Sequence, residues 1–89
     1  MLEQSTTIIN KLGLHARAAA KFVFTASAFS SKIRVSFNGK EVDGKSIMSV
    51  MMLAASKGCD LTIKTQGDDE SQAMQAILNL IQDRFEEDE

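Results

Sequence analysis

The 89-residue chain has no proline, no tryptophan and no tyrosine, and it has one histidine and one cysteine. A lone cysteine, Cys59, excludes an intramolecular disulfide and reads as a small buried hydrophobe. One histidine and one cysteine also supply too few ligands for a transition-metal site, so no metal and no cofactor is expected. The five Phe residues read as core-facing or terminal. Without exposed aromatics there is no platform for stacking bases, and nucleic acid is not an expected partner. No apolar run approaches the roughly 20 residues a membrane span needs, and nothing resembles a signal peptide. The expectation is a cytoplasmic chain with no membrane insertion. A single domain over 1–89 buries only about 60–65% of its unfolded surface. Deep clefts are therefore not expected, and function belongs at the surface.

Charge is present but segregated. Residues 1–66 hold nine Lys and Arg against four acids, a net of +5, whereas 67–89 hold eight acids and Arg84, a net of −7. A basic body suits acidic partners, and the terminal Glu86-Glu87-Asp88-Glu89 reads as a solvated, frayed end.

Periodicity predicts seven elements. Leu2 to Ile9, β-branched and free of Gly, reads as a strand. Ala19, Phe22, Val23, Ala26 and Phe29 then give the apolar face of a helix that Ser30-Ser31 ends. Lys32 to Phe37 alternates as a half-buried strand, Asn38-Gly39 is a strong hairpin signal, and Lys40 to Val42 returns. Ser46 stands where an N-cap belongs, before Ile47, Val50, Met51 and Ala54 at helical spacing, with Lys57 and Gly58 as closing signals. Leu61 and Ile63 mark a fourth strand. Gly67-Asp68-Asp69-Glu70 turns into and caps a third helix with the stripe Met74, Ile77, Leu78, Ile81 and Phe85. The order β-α-β-β-α-β-α, with alternating strands and one-faced helices, predicts an α+β fold. It would be a four-stranded, mainly antiparallel sheet with three helices on one face.

The stretch Asn10-Lys11-Leu12-Gly13-Leu14-His15-Ala16-Arg17-Ala18-Ala19-Ala20 organises the chain. Gly13 permits a tight turn, and the alanine run starts a helix at or just after His15. The imidazole then lies beside unpaired N–H groups and the positive end of a helix, where an anion is stabilised. Arg17 adds a planar fork suited to phosphate oxygens. A neutral imidazole is a nucleophile near pH 7, so His15 is a candidate site of transient phosphorylation. The other reading of the same residues is a half-exposed cap residue.

Three motifs, Asn-Lys-Leu-Gly-Leu-His-Ala-Arg (10–17), Lys-Ser-Ile-Met (45–48) and Ala-Ala-Ser-Lys-Gly (54–58), occur in this element order. In them the sequence resembles HPr, the histidine-containing phosphocarrier family of the phosphoenolpyruvate-dependent phosphotransferase system. The resemblance runs along nearly the whole chain and implies the HPr-like open-faced β-sandwich. It further implies a carrier, not an enzyme, that takes a phosphoryl group from enzyme I on His15 Nδ1 and hands it to an enzyme IIA domain. Arg17 would steady the group, with the backbone N–H groups of Ala16 and Arg17 as further contacts. Ser46 matches a serine that HPr kinase/phosphorylase modifies in many relatives, and an unmodified N-cap fits the residue equally well. Leu14, Arg17, Ala20 and Lys21 with Ile47, Met48 and Met51 form the expected docking surface of a monomer. Both transfers would occur inside complexes, where the partner supplies further positioning.

One departure stands out. The family commonly has proline directly after the arginine, and this chain has Ala18, which retains an N–H donor and permits more fraying. Two alternatives accompany the main reading: a nitrogen-branch phosphocarrier (NPr) with regulatory output, and a non-catalytic RNA- or protein-binding α/β sandwich.

Overall fold

The computed structural model describes residues 1–89. Its elements are β1 (Leu2–Thr7), α1 (Ala16–Ser27), β2 (Lys32–Phe37), β3 (Lys40–Asp43), α2 (Ile47–Met52), β4 (Asp60–Gln66) and α3 (Glu70–Gln82), closed by a short 3₁₀ turn at Arg84–Glu86. The four strands form one sheet in the order β1-β4-β2-β3, every pair antiparallel. Strand β4 is central because its inward residues Leu61, Ile63 and Thr65 are all buried, while β1 and β3 at the edges are mostly exposed. The register sets Val35 opposite Ile63 and Ile33 opposite Thr65, so the inward rows of β2 and β4 meet on one face. The other face carries Arg34, Glu41 and Lys64, with Lys64 Nζ 2.8 Å from Glu41. One packed face and one polar face are what alternation predicts for an open-faced sandwich.

The helices bring their apolar stripes to the packed face. Ala18, Ala19, Phe22 and Ala26 of α1, Val50 of α2 and Ala73, Met74, Ile77 and Ile81 of α3 are buried there. Phe22 and Phe85 are the largest wholly buried side chains. Burial of a side chain of this class contributes about 2–3 kcal/mol, so these two rings are major contributors to a small core. Asn38 and Gly39 take φ of 55° and 84°, the left-handed pair a type I′ hairpin requires.

Several expectations are corrected. Strand β1 ends at Thr7, because Ile8 turns inward, is buried, and donates its N–H to Cys59 O at 2.9 Å. Helix α2 stops at Met52 and does not run on to Gly58. Ala54 takes φ of 55°, and Ala55, itself buried, turns its carbonyl to the N–H of Leu14 at 2.9 Å. Gly58 does not cap α2; its N–H joins Ile8 O at 2.8 Å. Asp69 heads α3 without a side-chain cap bond, because its carboxylate is engaged elsewhere. It accepts the N–H groups of Ser30 and Ser31, each at 2.9 Å, and the Ser31 hydroxyl. The Phe residues are not all core: Phe24 is 82% exposed on α1, two positions from buried Phe22 and so on the opposite side of the helix. Cys59 is half-buried against the core.

The C-terminus departs most from its expected frayed end. Arg84, Phe85 and Glu86 all take positive φ (56°, 54° and 64°), which reverses the chain after α3 and drives Phe85 into the core. Left-handed backbone costs about 1–2 kcal/mol per residue. Offsetting that cost are the buried Phe85 ring and a hydrogen bond from Lys21 Nζ to Phe85 O at 2.8 Å. The acidic tail is thereby laid across the N-terminal end of α1.

Candidate functional site

His15 is the N-cap of α1, with an extended backbone (φ −73°, ψ 176°) and no side-chain bond to the helix N–H groups. Its carbonyl accepts the N–H of Ala19 at 2.9 Å, which starts the helical ladder. The N–H groups of Ala16, Arg17 and Ala18 precede that ladder and find no protein partner. Ala18, unlike a proline, retains its N–H, one more donor at this end.

The approach to His15 is braced from below. Gly13 takes φ of 65° and lies so close to the 54–56 segment that a Cβ there would meet Ala55 O at 2.6 Å and Ser56 Cα at 2.8 Å. Asn10 is wholly buried, and its amide donates to Gly13 O at 2.8 Å. Leu14 is only 5% exposed, so it packs in the core and is not available as the docking residue expected of it. The buried residues on either side of His15 fix the loop and leave the imidazole half-exposed.

Around the imidazole is a groove of about 820 Å³ lined by Lys11, Leu12, Ala16 and Arg17 on one side and Glu87, Asp88 and Glu89 on the other. Arg17 is exposed and forms no ion pair with these carboxylates, so its guanidinium stays free for a ligand. Glu87 contacts His15 Nε2 and accepts the Asn10 amide at 3.1 Å. Burial acts to raise the Glu87 pKa, but the bonds from His15 and Asn10 and the charge of Lys21 outweigh it and lower the pKa below the usual carboxylate value. Lys11 holds the last residue twice, by its N–H to Glu89 O at 2.8 Å and by its ammonium to the Glu89 side chain at 3.3 Å.

The other predicted residues fall at the neighbouring helix ends. Ala20 is exposed on α1, and Lys21 is half-buried under the C-terminal turn. Ser46 is the N-cap of α2, its hydroxyl accepting the Ser49 N–H at 3.4 Å. Ile47, Met48 and Met51 are exposed, joined by Met52. Helices α1 and α2 pack together, so this apolar patch and the His15 end of α1 belong to adjacent elements.

The family model described as "PTS HPr component phosphorylation site" matches residues 2–83. The chain belongs to the HPr family. It is 57% identical to the phosphocarrier protein HPr of Cupriavidus necator and 55% identical to that of Neisseria meningitidis, each over the whole length of both chains. The crystal structure of HPr-C-His from Thermoanaerobacter tengcongensis superposes with a TM-score of 0.96 at 47% identity, covering all of both chains. The family therefore places this chain among phosphocarrier proteins, not catalysts, and the open-faced sandwich is its fold. These HPr relatives do not favour the NPr alternative. A second T. tengcongensis structure, an HPr dimer, matches with a TM-score of 0.79 at 48% identity, covering 98% of this chain and 100% of that one. HPr proteins thus include dimers, which the expectation of a monomer does not cover. No helix of this HPr-family chain is long and apolar enough to cross a membrane.

Asn10, Lys11, Phe85, Glu87 and Glu89 were not foreseen as parts of the site. For Lys11, Glu87 and Glu89 the charge segregation is a signal, since an acidic end on a basic body has a reason to fold back; Asn10 and Phe85 carry no such signal.

Proposed function

We propose that His15 is the phospho-acceptor of a phosphotransferase chain, taking a phosphoryl group from phosphorylated enzyme I and passing it to an enzyme IIA domain. The observation that carries this reading is the position of the imidazole. It caps α1 beside three unpartnered N–H groups, with the unpaired guanidinium of Arg17 in the same groove. Helix end and arginine together balance the charge of a phosphoryl group. An open groove stabilises that group only in part, which suits a bond that must be broken again. In the first transfer a nitrogen lone pair of His15 forms the N–P bond while the donor's bond to phosphorus breaks and its electron pair leaves with the donor. In the second a nucleophile of the recipient bonds to phosphorus, the N–P bond breaks and its electron pair returns to His15.

The exposed Ile47, Met48 and Met51 of α2, with Ala20 and the cations Arg17 and Lys21 on the adjacent α1, suit acidic partner surfaces. The Arg17 guanidinium is unpaired, and the Lys21 ammonium is partly engaged by Phe85 O and Glu86. Ser46 adjoins these α2 residues, and phosphorylation there by a kinase of the HPr kinase/phosphorylase type would oppose docking by like-charge repulsion. The RNA-binding alternative finds no support on the open sheet face, which carries Arg34, Glu41 and Lys64; the one well-exposed Phe, Phe24, is on a helix.

Incubation with phosphoenolpyruvate, Mg²⁺ and enzyme I, followed by intact-mass measurement, tests the proposal. One acid-labile phosphoryl group on the wild type and none on His15→Ala is the expected result. Transfer to His15→Ala, or none to the wild type with active enzyme I, would refute it.

A further inference from the structure

We propose that Glu87 is a positioning residue for His15: its carboxylate holds the proton on Nε2 and so leaves the Nδ1 lone pair free to attack phosphorus. The proposal rests on the phosphocarrier reading of His15 and adds to it a residue of the acidic tail.

The geometry is built, not incidental. Glu87 uses one oxygen for His15 Nε2 and the other for the amide of Asn10. Asn10 is wholly buried, and its Nδ2 serves both Gly13 O and Glu87, so the amide that orients the carboxylate is itself fixed. Phe85, buried two residues earlier, and Lys11, which binds Glu89 two residues later, hold the chain on both sides of Glu87. Asp88 and Glu89 line the same groove, and neither bonds to the imidazole. No protein group hydrogen-bonds Nδ1.

The chemistry follows from which nitrogen keeps the proton. A carboxylate accepts the Nε2–H, and in the neutral ring the lone pair is then on Nδ1. Attack by that pair forms the Nδ1–P bond as the donor's bond to phosphorus breaks, and the donor keeps the electrons of the broken bond. The Nε2 proton stays in place, and the positive charge the ring acquires faces the Glu87 carboxylate. On departure the N–P electrons return to Nδ1, and the ring leaves as neutral imidazole with Nε2–H intact. Neither direction requires a proton transfer. A carboxylate that orients a histidine through its second nitrogen is a general device of imidazole chemistry.

Nitrogen-15 NMR of the histidine-labelled, unphosphorylated protein at about pH 9, where an imidazole is neutral, reads the tautomer directly. Wild type, Glu87→Gln and a chain ending at Glu86 should be compared; the last retains Phe85, and amide spectra verify that each is folded. Wild type should show almost only Nε2–H, and both variants should raise the Nδ1–H population about fivefold or more, the worth of one hydrogen bond. Initial phosphorylation by enzyme I should slow in both variants. An unchanged tautomer ratio in both variants, with the wild type accepting phosphate normally, would overturn the role of Glu87 and leave the carrier reading intact. A shifted ratio in a wild-type background that accepts no phosphate would instead strike the carrier reading, and with it the chemical role assigned here.

Discussion

Replacing Gly13 by alanine separates two reasons for a glycine in front of the candidate acceptor. The first is conformational: φ of 65° costs an L-residue about 1–2 kcal/mol. Gly39 has that reason too, with φ of 84° and open space around its Cβ position, so Gly39→Ala measures it alone. The second reason belongs to Gly13. A Cβ there would reach 2.6 Å from Ala55 O, the atom that accepts the Leu14 N–H, and 2.8 Å from Ser56 Cα. Both contacts are backbone, so relief requires the 54–56 segment to move away and the Leu14 hydrogen bond to lengthen. Overpacking of this kind costs about 1–3 kcal/mol, and the weakened hydrogen bond adds about 1 kcal/mol. The lower entropy of the unfolded alanine chain offsets each variant similarly. Gly13→Ala should therefore lose about 3–5 kcal/mol and Gly39→Ala about 1 kcal/mol. A domain of this size has on the order of 5–13 kcal/mol in total, so Gly13→Ala leaves little in reserve. With a urea slope of about 1 kcal/mol/M, the two midpoints should differ by about 2–4 M. Equal losses in the two variants would show that the close approach to residues 55 and 56 does not hold the His15 loop.

Three further outcomes are expected. The bonds from the Ser31 hydroxyl and from the Ser30 and Ser31 N–H groups lower the Asp69 pKa from 3.8 to about 2. A folded pKa below the unfolded one stabilises fully above about pH 4, and that contribution disappears as pH falls through about 2. Urea midpoints of Asp69→Asn should accordingly lie below wild type at pH 7 and converge with it near pH 2; a gap of constant size would refute the assignment. Phe85→Ala removes a wholly buried ring and should cost about 3–5 kcal/mol by urea unfolding while making the last residues more sensitive to limited proteolysis. A loss under about 1 kcal/mol would mean that Phe85 does not anchor the tail. Ser46→Asp preserves a capping oxygen for the Ser49 N–H, so stability should stay within about 0.5 kcal/mol. Phosphoryl acceptance should slow by about tenfold or more because the added charge faces acidic partners; an unchanged rate would remove Ser46 from regulation.

The elements that were legible are those with a repeating signal. Ile33, Val35, Leu61 and Ile63 alternate, Asn38-Gly39 permits one tight turn, and the alanine run after His15 starts a helix where propensity places it. The imidazole, the helix start and Arg17 are near neighbours in sequence, so that half of the site needed no tertiary information. Long-range geometry accounts for what was missed. Helix α2 ends early because Ala55 must serve Leu14, a contact across 41 positions that no helical period contains. Asp69 looks like an N-cap, yet two serines from the α1–β2 connection take its carboxylate. Leu14 looks like a neighbour of the surface histidine, but the tight turn at Gly13 sends it inward. The tail was misjudged because four acids in a row resemble a solvated end. What holds them is a run of left-handed residues and a buried Phe85, and helical spacing assigns that ring to the end of α3.

In the proposed carrier role the phosphoryl group resides on His15, bonded through Nδ1. Phosphorus-31 NMR of the protein after reaction with enzyme I and phosphoenolpyruvate, with the histidine labelled with nitrogen-15, tests it most directly. The expected result is one phosphoramidate resonance coupled to the Nδ1 nitrogen of His15, lost on brief acid treatment. An acid-stable phosphate ester, or coupling to Nε2, would contradict it.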